Sequence, residues 1–395
     1  MIRNKQEQDH YHKQPWKTLE LYLHIPFCVR KCRYCDFLSG PADTGTQDRY
    51  MEALLAELKG RSRECAEYEV DTIFIGGGTP SVVKPEWIQK VMDAVREHYR
   101  LSPKAEITME MNPGTVSSDG LNVYRRAGIN RLSIGLQSAN EEELQKLGRI
   151  HTFAQFQESY REAVQAGFTN INVDVMSALP EQTVESWRST LEAVLALEPR
   201  PQHISAYSLI VEEGTPLYDM QESGTLILPD EDSERQMYAL TEELLGRYGF
   251  RRYEISNYAT EGYECRHNCG YWRRREYLGL GTGAASLMKE CRFSNGTGLE
   301  AYLQDPLGIR SEVQKLTVEE QMEEFMFLGL RMMEGVSEDA FREAFGRELK
   351  EVYGPVILNN MQDGLLECTE SRPVFYRLTH RGIDLSNYVM AQFLF

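Results

Sequence analysis

The 395-residue sequence has no run of about 18 apolar residues, so no segment reads as a membrane-spanning helix. Residues 1–17 are polar and charged and lack the apolar stretch of a secretory signal. Positive charge is also short: 43 basic against 60 acidic residues give a net charge of −17. That balance argues against non-specific binding to nucleic acid or anionic lipid, although a local basic pocket can still take an anion. No low-complexity segment or solenoid-period repeat is evident. Cysteine is sparse at eight residues: Cys28, Cys32, Cys35, Cys65, Cys265, Cys269, Cys291 and Cys368. This spacing is not that of a small disulfide-stapled scaffold. With 42% hydrophobic and 26% charged residues the chain sits in the globular range and can build a sizeable core. The expectation is a cytoplasmic protein of a reducing compartment, in which a cluster of thiols binds metal.

What is present is a repeated grammar over the first two hundred residues. Short β-rich runs (19–25, 72–75, 106–111, 131–136, 170–176 and 203–209) alternate with amphipathic stretches (47–65, 85–99, 141–147, 153–166 and 184–197). Six strands with intervening helices predict parallel pairing through right-handed crossovers. Periodicity alone leaves both a barrel, whole or partial, and a doubly wound sheet open. The regularity ends at Gly214-Thr215-Pro216. Beyond it come a long helix over 230–248, a strand over 251–257 and an aromatic-rich stretch over 265–283. Helices over 317–333, 338–345 and 349–362, a hairpin (366–367 with 375–378) and a last helix from 382 follow. Helices followed by a hairpin predict a small winged-helix-like module. The expected division is a tail (1–18), an α/β unit (19–215), an extension (216–310) and a C-terminal domain (311–395).

The chemistry-bearing text follows the first strand: Tyr22-Leu23-His24-Ile25-Pro26-Phe27-Cys28-Val29-Arg30-Lys31-Cys32-Arg33-Tyr34-Cys35-Asp36-Phe37. Cys28, Cys32 and Cys35 form C-x3-C-x2-C. Three thiolates on one loop can hold three irons of a [4Fe–4S] cubane and leave the fourth iron open to an outside ligand. Arg30, Lys31 and Arg33 favour the thiolate form. The alternatives are a zinc site with His24 as fourth ligand, or three incidental cysteines.

The cysteine spacing directly after a first strand resembles the radical S-adenosylmethionine (SAM) superfamily. The resemblance implies a partial (β/α)6 barrel, here followed by a smaller α+β region with the winged-helix-like module. It also implies that SAM chelates the open iron, and that an electron from the reduced cluster cleaves the sulfonium to a 5′-deoxyadenosyl radical. Polar residues at strand ends then acquire roles. Gly76-Gly77-Gly78-Thr79-Pro80-Ser81 is by itself a tight turn that lets a ligand approach the backbone. In this family it matches the segment that receives the SAM amino group, through Gly77, Gly78 and Thr79. Glu110, Gln137, Arg149 and Asp174 lie at or beyond strand ends, where parallel α/β folds gather their ligands. Each alone also reads as structural, Asp174 as a satisfied core carboxylate. Jointly they match the SAM positions of the oxygen-independent coproporphyrinogen oxidase branch: Gln137 and Asp174 toward the ribose, Glu110 and Arg149 toward the amino-acid end. Tyr22, Tyr34 and Ile210 match further SAM contacts.

Two departures separate the chain from the oxidase of that branch. The enzyme carries an additional cysteine two residues after the third, where this chain has Phe37, and a long N-terminal extension, where only 21 residues precede Tyr22. Coproporphyrinogen oxidase activity is therefore not expected. Instead, Cys265-Arg266-His267-Asn268-Cys269-Gly270-Tyr271-Trp272 contains His-Asn-x-x-Tyr-Trp, which resembles the signature of the HemW-type haem chaperones. Glu276-Tyr277-Leu278-Gly279-Leu280-Gly281-Thr282-Gly283-Ala284, Arg377-Leu378-Thr379 and Ser386-Asn387 fit the same subgroup. An imidazole can ligate haem iron, Tyr271 and Trp272 can stack on a porphyrin, and Arg266, Arg273, Arg274 and Arg275 can pair with propionates. Cys269 is an alternative ligand. Equally, the stretch reads as an aromatic-anchored loop packed on the barrel with His267 hydrogen-bonded inside.

The expected function is a radical SAM-type haem chaperone that binds haem and transfers it to an acceptor protein. The alternative is a radical SAM enzyme acting on a tetrapyrrole, by oxidative decarboxylation of coproporphyrinogen III or by anaerobic methylation and ring opening of haem. The implied cofactors are a [4Fe–4S] cluster, SAM and haem. The implied partners are a haem acceptor and an electron donor for the cluster, with no nucleic acid and with a homodimer left open. No catalytic residue is assigned.

Overall fold

The structure, a computed structural model, describes residues 16–370 and 372–395. Most of the expected tail, residues 1–18, lies outside the described residues. In chain order the first half runs β1 (Lys17–Ile25), α1 (Thr44–Arg61), β2 (Tyr68–Gly77), α2 (Pro85–His98), β3 (Leu101–Met111), α3 (Ser118–Ala127), β4 (Arg131–Gln137), α4 (Glu141–Lys146), α5 (Phe153–Gln165), β5 (Ile171–Ser177), α6 (Val184–Leu195) and β6 (His203–Ser208). β1 to β6 pair in sequence order and in parallel, as the alternation predicts. The result is the partial barrel of the radical SAM fold.

Strand alternation sets the site. On β1, Leu19, Leu21, Leu23 and Ile25 are buried in the core beneath the helices, as are Ile73 and Ile75 on β2 and Ile171, Val173 and Val175 on β5. The opposite face carries Glu20, Tyr22 and His24, then Thr72 and Phe74, then Glu106, Thr108 and Glu110. One face of the sheet is thus hydrocarbon and the other polar, which leaves a chemically equipped interior. Caps fix where the helices start. Asp43 accepts from Thr46 N–H at α1, and Thr152 with Gln155 and Thr183 with Ser186 form capping boxes at α5 and α6.

The second half extends the same sheet on both sides. After α7 (Pro216–Glu222) and α8 (Glu231–Arg247) come β7 (Arg251–Glu254), β8 (Asn257–Ala259), α9 (Arg266–Trp272), β9 (Tyr277–Leu280), β10 (Ala285–Met288), β11 (Cys291–Asn295), α10 (Leu299–Gln304) and β12 (Arg310–Lys315). The sheet order is β12-β11-β10-β9-β1-β2-β3-β4-β5-β6-β8-β7. The single strand expected over 251–257 is a hairpin, β7 with β8. The aromatic stretch over 265–283 contains a helix and a strand, and that strand, β9, pairs in parallel with β1. β12 runs past the expected boundary at residue 310.

The remainder is α11 (Val318–Gly329), β13 (Val336–Ser337), α12 (Glu338–Phe345), α13 (Leu349–Gln362), β14 (Leu366–Cys368), β15 (Phe375–Leu378), α14 (His380–Asp384) and α15 (Ser386–Ala391). It has its own small antiparallel sheet, β13-β15-β14, and its own apolar core around Met326, Phe341, Tyr353 and Phe393. Among the described residues no helix is long and apolar enough to cross a membrane.

Candidate functional site

The cysteine loop leaves β1 at Pro26 and is closed by paired backbone bonds. Gly40 N–H donates to Pro26 O (3.0 Å) and Cys28 N–H to Gly40 O (3.0 Å). Farther along, Arg33 N–H donates to Leu147 O (2.9 Å), and Arg33 O accepts from Leu217 N–H (3.1 Å). The loop is therefore pinned at its ends and in its middle. Gly78 is confined against it: a Cβ there would stand 2.6 Å from Phe27 O.

The loop roofs a cleft of about 310 Å³ at the C-terminal ends of the parallel strands. Cys28, Cys32 and Cys35 line it, together with Tyr34, Gly77, Gly78, Thr79, Glu110, Gln137, Arg149 and Asp174. Eleven of the thirteen residues expected at the cluster and at SAM thus meet in one place. The two others do not. Ile210 is 67% exposed and lines no part of the cleft. Tyr22 points its hydroxyl to His24 Nδ1 (3.0 Å) and lines a different cavity. Asn112, Ser133, Gly135 and Tyr207 also line the cleft and were not singled out from the sequence. Asn112 sits in Met-Asn-Pro directly after β3, a strand-end position that local chemistry does not distinguish from a turn.

The donor set fits an iron–sulfur cluster. Three thiols from one loop surround one cleft, Thr79 O–H donates to Cys28 Sγ (3.4 Å), and Arg149 Nη1 donates to Cys32 Sγ (3.7 Å). Among the described residues, no three His, Cys, Asp or Glu side chains are arranged to hold a single metal ion. His24 is engaged at both ring nitrogens, by Tyr22 and by Leu38 O (2.9 Å). With both nitrogens engaged and no place in the cleft lining, His24 is not set as a fourth ligand beside the three thiols.

The cleft also fits the amino-acid and ribose ends of SAM. Glu110 accepts from Gly77 N–H (3.1 Å), and burial pushes its carboxyl up to about 8, with Asp174 adding to the rise. Asp174 accepts from Asn172 Nδ2 (2.7 Å) and Ser133 O–H (3.0 Å), yet burial still raises its pKa. Both carboxyls face one cleft, where an ammonium beside Glu110 would favour its charged form and ribose hydroxyls can pair with Asp174. Gln137 holds φ 72° at a register shift between β4 and β5, which turns its side chain into the cleft mouth. Arg149 Nε is buried and has no partner among the described residues.

The His-Asn-x-x-Tyr-Trp segment forms α9, on the polar face of the barrel and away from the cysteine cleft. Glu106 of β3 holds its start: its carboxylate accepts from Arg266 N–H (3.1 Å) and His267 N–H (3.2 Å). His267 is 1% exposed. Its Nδ1 pairs with Thr72 Oγ1 (2.7 Å) and its Nε2 with Tyr271 OH (3.0 Å), and its ring stacks on Phe74 at 5.2 Å. Burial pushes its pKa down to about 3. In this arrangement neither nitrogen is free for iron, and the packed reading of His267 describes the observed geometry. Tyr271 and Trp272, by contrast, line a cavity of about 580 Å³ with Tyr22, Tyr277 and Phe327. Cys269 lines a separate cavity of about 500 Å³ with Arg266, Arg273 and Arg275, where Arg266 and Arg275 pair with Asp71. Arg274 is tied elsewhere, to Glu324 and Glu290.

Comparison with known proteins agrees with this architecture. Residues 22–194 match the radical SAM superfamily, and residues 316–385 match the HemN C-terminal domain. The chain is 36% identical to heme chaperone HemW of Bacillus subtilis over 378 residues, covering 94% of this chain and 98% of that one. It is 42% identical over 267 residues to heme chaperone HemW of Escherichia coli, covering 67% and 69%. It is 35% identical to a mitochondrial radical S-adenosyl methionine domain-containing protein 1 of Danio rerio, covering 95% and 86%. In three dimensions it is similar to coproporphyrinogen III oxidase (HemN) of Escherichia coli, with TM-score 0.81 over 97% of this chain and 91% of that one, at 23% identity. The last likeness concerns the fold. By sequence over nearly its whole length, the chain belongs to the HemW family of the radical SAM superfamily.

Proposed function

We propose that the chain is a haem chaperone that binds haem and passes it to an acceptor protein, with a cluster on Cys28, Cys32 and Cys35 and SAM beside it. The observation that carries this reading is the 580 Å³ cavity against Tyr271 and Trp272, separate from the cysteine cleft. Its size is that of a small-molecule site, and aromatic walls suit a flat macrocycle. Trp272 Nε1 is buried and has no hydrogen-bond partner among the described residues, so its donor is left unmet beside the cavity that the residue lines. Arg292, at the cavity wall and paired with Glu324 (2.7 Å), supplies a cation for a propionate. His267 anchors α9 in this form. Its ligation of iron would require the hydrogen bond at the ligating nitrogen, to Thr72 or to Tyr271, to break.

In the cleft, Glu110 would take the SAM ammonium and Arg149 its carboxylate. Asp174 and Gln137 would take the ribose hydroxyls, and Gly77, Gly78 and Thr79 the adjoining backbone contacts. When bound, the reduced cluster supplies one electron to the sulfonium. The proposed setting is the cytoplasm, with an electron donor protein as second partner and a homodimer as the assembly to test. The decarboxylase alternative is disfavoured by Phe37, which stands 62% exposed where that branch carries its additional cysteine.

The test is a haem titration of the wild-type chain and of Trp272→Ala, with thermal unfolding as the control for folding. Wild type is expected to bind haem with a shifted Soret band, and Trp272→Ala to bind at least tenfold more weakly. Equal binding by a folded Trp272→Ala would overturn the site. Absence of haem binding by the wild type would overturn the function.

A further inference from the structure

We propose that Asn112 is a positioning residue for the cluster, setting the direction of the Thr79–Cys28 hydrogen bond and holding the guanidinium that donates to Cys32. This rests on the cluster assignment above and not on haem. The direction follows from one group. A guanidinium only donates. Arg149 Nη2 lies 2.8 Å from the Asn112 side chain, so the oxygen, Oδ1, must face it. Nδ2 therefore faces the other way and donates to Thr79 Oγ1 (2.8 Å). With its oxygen accepting there, the Thr79 hydroxyl hydrogen is left for Cys28 Sγ at 3.4 Å. At the far end, Arg149 Nη1 reaches Cys32 Sγ at 3.7 Å. The line Cys28–Thr79–Asn112–Arg149–Cys32 thus has a donor directed at the sulfur at each of its ends, with the amide setting the sense at Thr79 and holding the guanidinium at Arg149.

The surroundings hold Asn112 in place. Thr115 O–H donates to Asn112 O (2.6 Å), and Asn112 N–H donates to Ser81 Oγ (3.4 Å). Gly135 leaves the space for the amide: a Cβ there would stand 2.9 Å from Oδ1. Gly135 O also accepts from Arg149 Nη2 (2.6 Å), which fixes the guanidinium plane. Hydrogen bonds to ligating sulfur withdraw charge and raise the reduction potential of an iron–sulfur cluster. Asp at position 112 would still hold Arg149, but both carboxylate oxygens accept. The Thr79 hydrogen would turn to the carboxylate and leave Cys28.

The experiment is redox titration of the reconstituted holoprotein, followed by electron paramagnetic resonance. It compares wild type, Asn112→Asp, Asn112→Ala, Thr79→Val and the double variant Thr79→Val/Asn112→Asp, with iron and sulfide content measured for each. All variants are expected to become harder to reduce. At the wild-type midpoint, Asn112→Asp should show a reduced-to-oxidised ratio about tenfold lower, equivalent to 59 mV for one electron. The double variant should fall short of the sum of the single shifts, because both remove the same Thr79–Cys28 bond. A merely structural role would lower cluster content and leave the potential of the remaining clusters in place. Unmoved potentials at full iron and sulfide content, or fully additive shifts, would overturn the proposal. If Asn112 variants fail to assemble a cluster, Thr79→Val decides alone, and an unchanged potential there overturns it. A wild-type chain unable to hold a cluster overturns this proposal and the cluster assignment together.

Discussion

Gly270 of α9 lies directly against Glu20 of β1: a Cβ at position 270 would stand 1.7 Å from Glu20 Oε1. Glu20 is fully buried, neither carboxyl oxygen has a hydrogen-bond partner among the described residues, and burial raises its pKa well above the usual carboxylate range. A carboxyl whose charged form burial disfavours therefore packs directly against the helix backbone, and only glycine permits that approach. Gly270→Ala is expected to destabilise the cluster-free chain by about 3 kcal/mol through overpacking, read as a lower urea midpoint. A loss below about 1 kcal/mol would contradict the close seating of α9.

Glu110 predicts a pH effect. Its pKa of about 8 in the folded chain stands above the ordinary 4.5, so between those values the folded state binds the extra proton. Stability from this group is complete below pH 4.5 and is lost as pH rises through 8. Glu110→Gln removes the titration. The cluster-free variant is expected to exceed wild type by on the order of 2 kcal/mol at pH 9 and to lose that advantage near pH 5. Parallel stability–pH curves for the two proteins would contradict the buried, raised carboxyl.

His267 predicts a slope of the opposite sign. Its pKa of about 3 lies below the ordinary 6.5, so the unfolded state takes up a proton first as pH falls. Its contribution is complete above pH 6.5 and is lost toward pH 3. His267→Ala also removes the ring stacked on Phe74 and both of its hydrogen bonds. The expected cost is about 3 kcal/mol at pH 7.5, shrinking by more than 1 kcal/mol at pH 5, measured by chemical denaturation at each pH. A cost that does not change with pH would mean that His267 is not held neutral in the fold.

The eight cysteines predict a division of labour. Cys28→Ser, Cys32→Ser and Cys35→Ser are each expected to abolish the visible absorbance of a reconstituted cluster, because all three line the one cleft. Cys291→Ser and Cys368→Ser, which line none of it, are expected to keep full iron and sulfide. Retained iron and sulfide in Cys32→Ser would refute the three-thiolate site.

The fold was legible where local pattern and long-range packing agree. The six parallel strands show as apolar runs because one face of each packs under helices, and the cysteine spacing marks the roof of the cleft. Elements held by distant partners were not legible. α3 begins with Ser-Asp-Gly, which reads as a turn. α9, Arg-His-Asn-Cys-Gly-Tyr-Trp, has no apolar period and forms because Glu106, some 160 positions upstream, accepts its first N–H groups. β9 is four residues long and is a strand because β1 is there to pair with it. Tyr22 was matched to SAM by family resemblance; in the structure its ring lines the cavity beneath α9 and its hydroxyl pairs with His24. Asn112 was not legible because its side chain joins Thr79 to Arg149, which no single stretch of sequence contains.

The most direct measurement of the central claim is anaerobic product analysis with the cluster reconstituted and SAM and reductant present. Haem and coproporphyrinogen III are supplied in separate reactions. A haem chaperone predicts that haem is retained on the chain unaltered and that coproporphyrinogen III is recovered intact. Formation of protoporphyrinogen IX, or of a methylated or ring-opened haem product, would contradict it and make the cleft that of an enzyme.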